Sequence, residues 1–201
     1  MRVRVDSDDR DLAERLKIIE SMMAEARRET KSWGWAFVVW GLAFYVAMAW
    51  AHWGSANIAW PVTVTVTAFV TGIVASKPSD TQPMTSIGRA IGSVWISVGI
   101  SMLVLLLALG TQGLLETQIF MALVAAMLGT ANAASGMILK WKAQLGCTVI
   151  WWATSWTCVV GTEKQATQVL MAAIFLCQIV FGFYAIAVDY RRRDRSKVIH
   201  A

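Results

Sequence analysis

Charge is what this chain most lacks. Only 15% of its 201 residues are Asp, Glu, Lys or Arg, against about 25% in soluble domains. With 57% of the chain apolar, too few ionic groups remain to cover a water-exposed surface, and a soluble globular domain is excluded. Cysteine is scarce as well. Cys147, Cys158 and Cys177 are odd in number, lie inside apolar stretches and form no CxxC or Cys/His cluster, which argues against a disulfide framework and a zinc site. There are two histidines, His52 and His200. Paired axial haem ligands would need a contact between two copies of the chain, so His52, beside Trp50 and Trp53, reads as an interfacial residue. Ser135 before Gly136 has no histidine at its depth to act as base. No phosphate-binding glycine loop or helical pair of metal ligands occurs. The sequence therefore offers no catalytic residue, no metal site and no cofactor.

What it does have is long runs without charge. Six stand out: Trp33 to Trp53, Ile58 to Ser76, Ala90 to Gly110, Gln118 to Leu139, Gln144 to Gly161 and Gln168 to Val188. As helices they are roughly 27 to 33 Å long at 1.5 Å per residue, matching a hydrocarbon core of about 30 Å. The alternation Val62-Thr63-Val64-Thr65-Val66-Thr67 has the period of a strand. A lone strand in lipid would leave its backbone unpaired, so helix is expected there too. Pro61 suits the first turn of that helix, where its missing N–H is not needed.

The few charges decide orientation. All but one of the 18 Lys and Arg side chains fall on the N-terminal side of a six-span path, Lys164 being the exception. Cytoplasmic loops carry such an excess, so both termini are expected in the cytoplasm. A five-span path, with the weakly apolar fifth run lying in the interface, would strand the Arg191-Arg192-Arg193 run outside. The net charge of +5 thus belongs to topology. Nucleic-acid binding lacks a soluble domain to carry it. Trp33, Trp35 and Trp141 fall near the inner boundary and Trp50, Trp53 and Trp60 near the outer one, as an aromatic belt does. Trp151, Trp152 and Trp156 are deeper, either filling space or lining an apolar pocket.

The expected fold class is all-α: a polytopic membrane helix bundle of six transmembrane helices preceded by a cytoplasmic amphipathic helix. Residues 1–32 are the cytoplasmic helix, 33–188 the transmembrane domain and 189–201 a basic cytoplasmic tail. Residues 1–32 are strewn with acids and lack the apolar core of a secretory signal, so they read as retained. Within them Leu12, Leu16, Ile19 and Met23 recur at helical spacing, widened by Ile18 and Met22. Three surfaces can cover this stripe: the headgroup layer, the chain's own bundle, or another polypeptide, including a second copy. In the tail, Arg191, Arg192 and Arg193 are candidates for anionic-lipid contact, or a plain topology anchor.

No Asp, Glu, Lys or Arg lies within a span, which disfavours ion-coupled transport through a buried carboxylate and Arg-based voltage sensing. The polar groups left are neutral. Ala122, Ala125, Gly129, Asn132, Ala133 and Gly136 share one face of the fourth run, small enough for close approach of another helix. Thr71, Ser97 and Asn132 sit about a third of the way up from the cytoplasmic boundary, with Gln178 near mid-depth. These four are the candidate pocket-lining residues, the alternative being ordinary hydrogen bonds between packed helices. Matched Gly/Pro interruptions, the mark of an inverted repeat, are not evident.

Leu16 to Met23, Trp33-Gly34-Trp35 with Trp40-Gly41, His52 closing the first run, and Ser135-Gly136-Met137-Ile138-Leu139-Lys140 together resemble a group of uncharacterised bacterial multi-pass membrane proteins. Those proteins have a short amphipathic N-terminal helix and about six spans. The resemblance implies this architecture in a bacterial plasma membrane and supplies no catalytic residues. The function expected is a non-enzymatic membrane interaction or regulatory protein, meeting lipid, a cytoplasmic partner or a second copy. The alternative is a passive channel or carrier for a small neutral or lipophilic solute.

Overall fold

The computed structural model describes residues 12, 14–18, 20–21, 33–76, 86–112 and 116–199. Among them there is no strand. Helices occupy all six charge-free runs: α1 (Gly34–Trp53), α2 (Ala56–Ser76), α3 (Ser86–Thr111), α4 (Thr117–Ile138), α5 (Lys142–Val160), and a last long helix. That last one comprises α6 (Glu163–Ile174), a π-helical stretch Phe175–Val180, and α7 (Phe181–Ile199). Four helices are long and apolar enough to cross a membrane: Gly34–Trp53, Ser86–Thr111, Thr117–Ile138 and Glu163–Val188. A shorter apolar helix covers Ile58–Val74.

Polarity is arranged the reverse of a water-soluble bundle. Large apolar side chains such as Phe69, Ile96, Val104 and Phe183 stand exposed, while Asn132, Ser135, Gln144, Thr148, Thr154 and Gln178 are buried. Such an exterior is stable only against hydrocarbon or another apolar surface, which is the make-up of a membrane protein.

Two tight crossings fix the bundle. The first is α4 against antiparallel α5. A Cβ on Gly136 would come within 2.9 Å of the Leu145 side chain, and one on Gly129 within 2.4 Å of the Trp152 ring. Small residues on α4 let α5 seat closely, and Ser155 Oγ donates to the Ala122 carbonyl at 2.8 Å. All six small or polar residues of this face are buried. Its occupant is the next helix of the same chain, so the face serves the bundle and is not free for a second copy. The second crossing is α1 on α7: Gly34 and Gly182 meet so closely that a Cβ on either would lie 2.8 Å from the other's carbonyl oxygen. The start of α1 and the start of α7 therefore lie at the same end of the bundle.

Turn chemistry explains the boundaries. After α4, Lys140 takes a positive φ of 49°. The Trp141 N–H reaches the Gly136 carbonyl at 2.9 Å and the Lys140 N–H that of Met137 at 3.2 Å, a Schellman ending. Before α6, the Gln165 N–H donates to Thr162 Oγ1 and the Thr162 N–H to Gln165 Oε1 at 2.9 Å. This capping box starts the helix upstream of the expected Gln168. α2 requires a correction. The Ser55 carbonyl accepts from Ile58 and Ala59, the helix starts at Ala56, and Pro61 lies inside it rather than in its first turn. The last helix runs on through the tail to Ile199 without a break at Val188.

Candidate functional site: an amide layer in the bundle core

The four residues proposed to line a pocket do not come together. Asn132 and Gln178 are 0% and 2% exposed. Ser97 is exposed on α3, along with Ser93 and Ser101 above and below it. Thr71, half-buried on α2, gives its hydroxyl to the Thr67 carbonyl at 2.7 Å. Helix rotation turns Ser97 outward, away from the two amides. From α3 it is Trp95 that reaches inward, its indole N–H donating to Ser135 Oγ at 3.0 Å.

The interior carries further polar groups: Gln144, which the sequence leaves at the edge of a run, and Trp151, one of its deeper tryptophans. Gln144 and Trp151 on α5 are both 0% exposed. They lie with Thr148 on one face, at i, i+4 and i+7. Contacts between helices give the relative heights. Because Gly136 faces Leu145 and Gly129 faces Trp151 and Trp152, Asn132 stands level with Thr148. Cys177 Sγ donates to the Cys147 carbonyl at 3.8 Å, which puts the neighbouring Gln178 at the same height. Gln144 and Trp151 lie about one turn to either side of Thr148, roughly 4.5 to 6 Å at 1.5 Å per residue. Asn132, Gln144, Trp151 and Gln178 thus occupy a single layer about 10 Å thick.

Hydrogen bonding within the layer is incomplete. Asn132 Nδ2 donates to the Leu128 carbonyl at 2.8 Å and the Thr148 hydroxyl to that of Gln144 at 3.2 Å. Asn132 Oδ1, both side-chain polar atoms of Gln144, Trp151 Nε1 and Gln178 Oε1 are buried without partners. The π-helical stretch containing Gln178 matters here, since such bulges interrupt the regular i→i−4 ladder and recur at functional sites. Gly41 of α1 packs against it: a Cβ there would meet that of Gln178 at 2.9 Å. Around the layer lie Leu128, Cys147, Cys177 and Ile174. Toward the Gly34 end, Phe37 makes edge contacts at 5.2 Å with both Trp95 and Phe181, and Trp141 lies 5.0 Å from Phe181, an aromatic floor under the amides.

The other candidates lie at the surface. Leu12 and Leu16 are 60% and 54% exposed on a helical segment, so the bundle does not cover their side of the stripe; Ile19 and Met23 lie outside the described residues. Arg191 is exposed, and the side chains of Arg192 and Arg193 lie outside the described ones. Trp156 faces outward, Trp152 is half exposed with its ring edge over Gly129, and Trp151 faces in. His52 is exposed beside Trp53, ring centroids 6.0 Å apart. Among the described residues no group of three or more His, Cys, Asp or Glu is placed to hold a metal ion. No family model, curated protein or solved structure matches the chain.

Proposed function

We propose that this chain is a non-enzymatic membrane protein of the interaction or regulatory kind, crossing a bacterial plasma membrane six times with both ends in the cytoplasm. The two helices beyond the four long apolar ones fit a spanning role by their surfaces. α5 turns Val149, Trp152, Trp156, Val159 and Val160 outward and keeps Gln144, Thr148 and Thr154 inside, so its low average apolarity comes from residues that lipid would not touch. The basic side chains Arg89, Lys140, Lys142 and Arg191 belong to the bundle end where Gly34 meets Gly182, which the positive-inside rule assigns to the cytoplasm.

The observation that carries the interaction reading is the exposure of Leu12 and Leu16. Apolar side chains at helical spacing that the bundle leaves open are available to a second polypeptide. Removing residues 1–29 tests it. Insertion and oligomeric state are expected to persist while co-purification of the partner is lost; a partner retained after truncation contradicts the reading.

A second reading, a passive carrier for a small neutral solute, is favoured by the unpaired amides of the core. Uptake of such solutes into liposomes, abolished by Asn132→Leu and Gln178→Leu, would support it, and absence of flux across a broad panel would remove it.

A further inference from the structure

The amide layer holds more hydrogen-bonding capacity than the chain itself uses. Asn132 Oδ1, Gln144 Oε1 and Gln178 Oε1 are acceptors without donors; Gln144 Nε2 and Trp151 Nε1 are donors without acceptors. Native interiors pair nearly all such atoms, and each exception is unfavourable because the water it lost has not been replaced. One unpaired atom is unremarkable in a bundle. Five of them, on side chains at least 98% buried, from three helices within a layer about 10 Å thick, have the character of a receptor.

The atoms specify what fits. The layer contains no Asp, Glu, Lys or Arg, so an ion would enter without a counter-charge and lose its hydration uncompensated. A hydrocarbon would leave all five groups unpaired. A monofunctional alcohol has one donor for three acceptors. A small planar molecule with one strong acceptor and several N–H donors meets the whole set. Its carbonyl oxygen can take an N–H from Gln144 or from Trp151, while its own N–H groups can turn to oxygens among those of Asn132, Gln144 and Gln178. Leu128, Cys147 and Cys177 are buried in the same core, and an interior packed at that density admits only a small molecule.

We infer that the layer formed by Asn132, Gln144, Trp151 and Gln178 is a binding site for a small uncharged amide or urea. This deepens the second reading above by naming its ligand class. It rests on the interior site alone, and requires neither transport nor docking of the N-terminal helix.

Saturation-transfer NMR with acetamide, on the full chain in lipid nanodiscs, tests the site. Transfer to the acetamide methyl protons is expected from the wild type. Gln144→Met, which removes one unpaired donor and one unpaired acceptor, abolishes it, and the exposed Ser97→Ala leaves it unchanged. Trp151→Phe deletes a single N–H and weakens binding about tenfold. This second variant keeps the test decisive should Gln144→Met fail to fold. Equal transfer in wild type and Trp151→Phe overturns the proposal. So does absence of transfer in the wild type, which would mean that the layer holds water only. Acetamide binding without acetamide flux into liposomes upholds the site and removes the carrier reading.

Discussion

Replacing Gln144 by Met should make the ligand-free protein more stable, which is unusual for a substitution at a fully buried core position. Met preserves the length of the side chain and has a helix propensity close to that of Gln. What it removes is an amide whose nitrogen and oxygen are both unpaired. The backbone carbonyl of residue 144, which accepts from Thr148, is untouched. An unsatisfied buried polar group costs roughly 1 to 3 kcal/mol. In a detergent-unfolded state the amide would recover hydrogen bonds to water, because it sits in the first turn of α5 beside Lys142. The variant should therefore gain about 1 to 3 kcal/mol, at least a fivefold rise in the folded-to-unfolded ratio. Unfolding by titration of SDS into mixed micelles, followed by the fluorescence of the 11 tryptophans, gives the free-energy difference directly. Ser135→Ala supplies the contrast, since it leaves Trp95 Nε1 without the acceptor it has at 3.0 Å and should lose about 1 kcal/mol or more. Opposite signs at these two positions are the signature of an interior with one paired and one unpaired polar group. A loss of stability in Gln144→Met matching that in Ser135→Ala would refute the reasoning, because it would mean that the amide is paired.

Gly182→Ala should destabilise the bundle by about 1 to 3 kcal/mol in the same assay. Its Cβ meets a backbone oxygen 2.8 Å away, and backbone cannot rotate aside; an unchanged midpoint would mean that α1 and α7 cross more loosely. Lys140→Gly should gain about 1 kcal/mol, since glycine takes a positive φ without the steric penalty of a side chain; a loss would show that the lysine contributes more than its backbone strain removes. Changing Leu12 and Leu16 together to Ser should leave bundle stability within about 0.5 kcal/mol, because both are exposed, while partner capture falls. A large drop in stability would place the stripe on the bundle.

The helices were legible because each charge-free run has the length of a membrane crossing, and lipid permits no lone strand for Val62 to Thr67. Their ends were less so. The Thr162-x-x-Gln165 capping box is a readable start signal, masked by the longer apolar run that begins at Gln168. Pro61 was assigned to a first turn that in fact begins at Ala56. The π-helical stretch from Phe175 to Val180 has no Gly or Pro to announce it. The candidate site was half visible. Asn132 and Gln178 stand out as amides in apolar runs, but neutral polarity alone also admits Ser97 and Thr71. Which way a helix is turned depends on its neighbours, and in lipid the outward side is apolar too, so periodicity gives a weak guide to burial. Gln144 was hidden by its place two residues after Lys142, where a polar residue reads as part of a loop. Its complete burial becomes visible only once α5 is seated against α4.

The six-crossing bundle with both ends on the cytoplasmic side is tested most directly by thiol labelling. Single cysteines are introduced at Ser7, Ser55 and Ser196, in a chain whose native Cys147, Cys158 and Cys177 are buried. A membrane-impermeant maleimide applied to intact cells should modify the cysteine at position 55 and spare those at 7 and 196 until the membrane is opened. Modification of position 7 or 196, but not both, in intact cells would put the two ends on opposite faces and contradict the account.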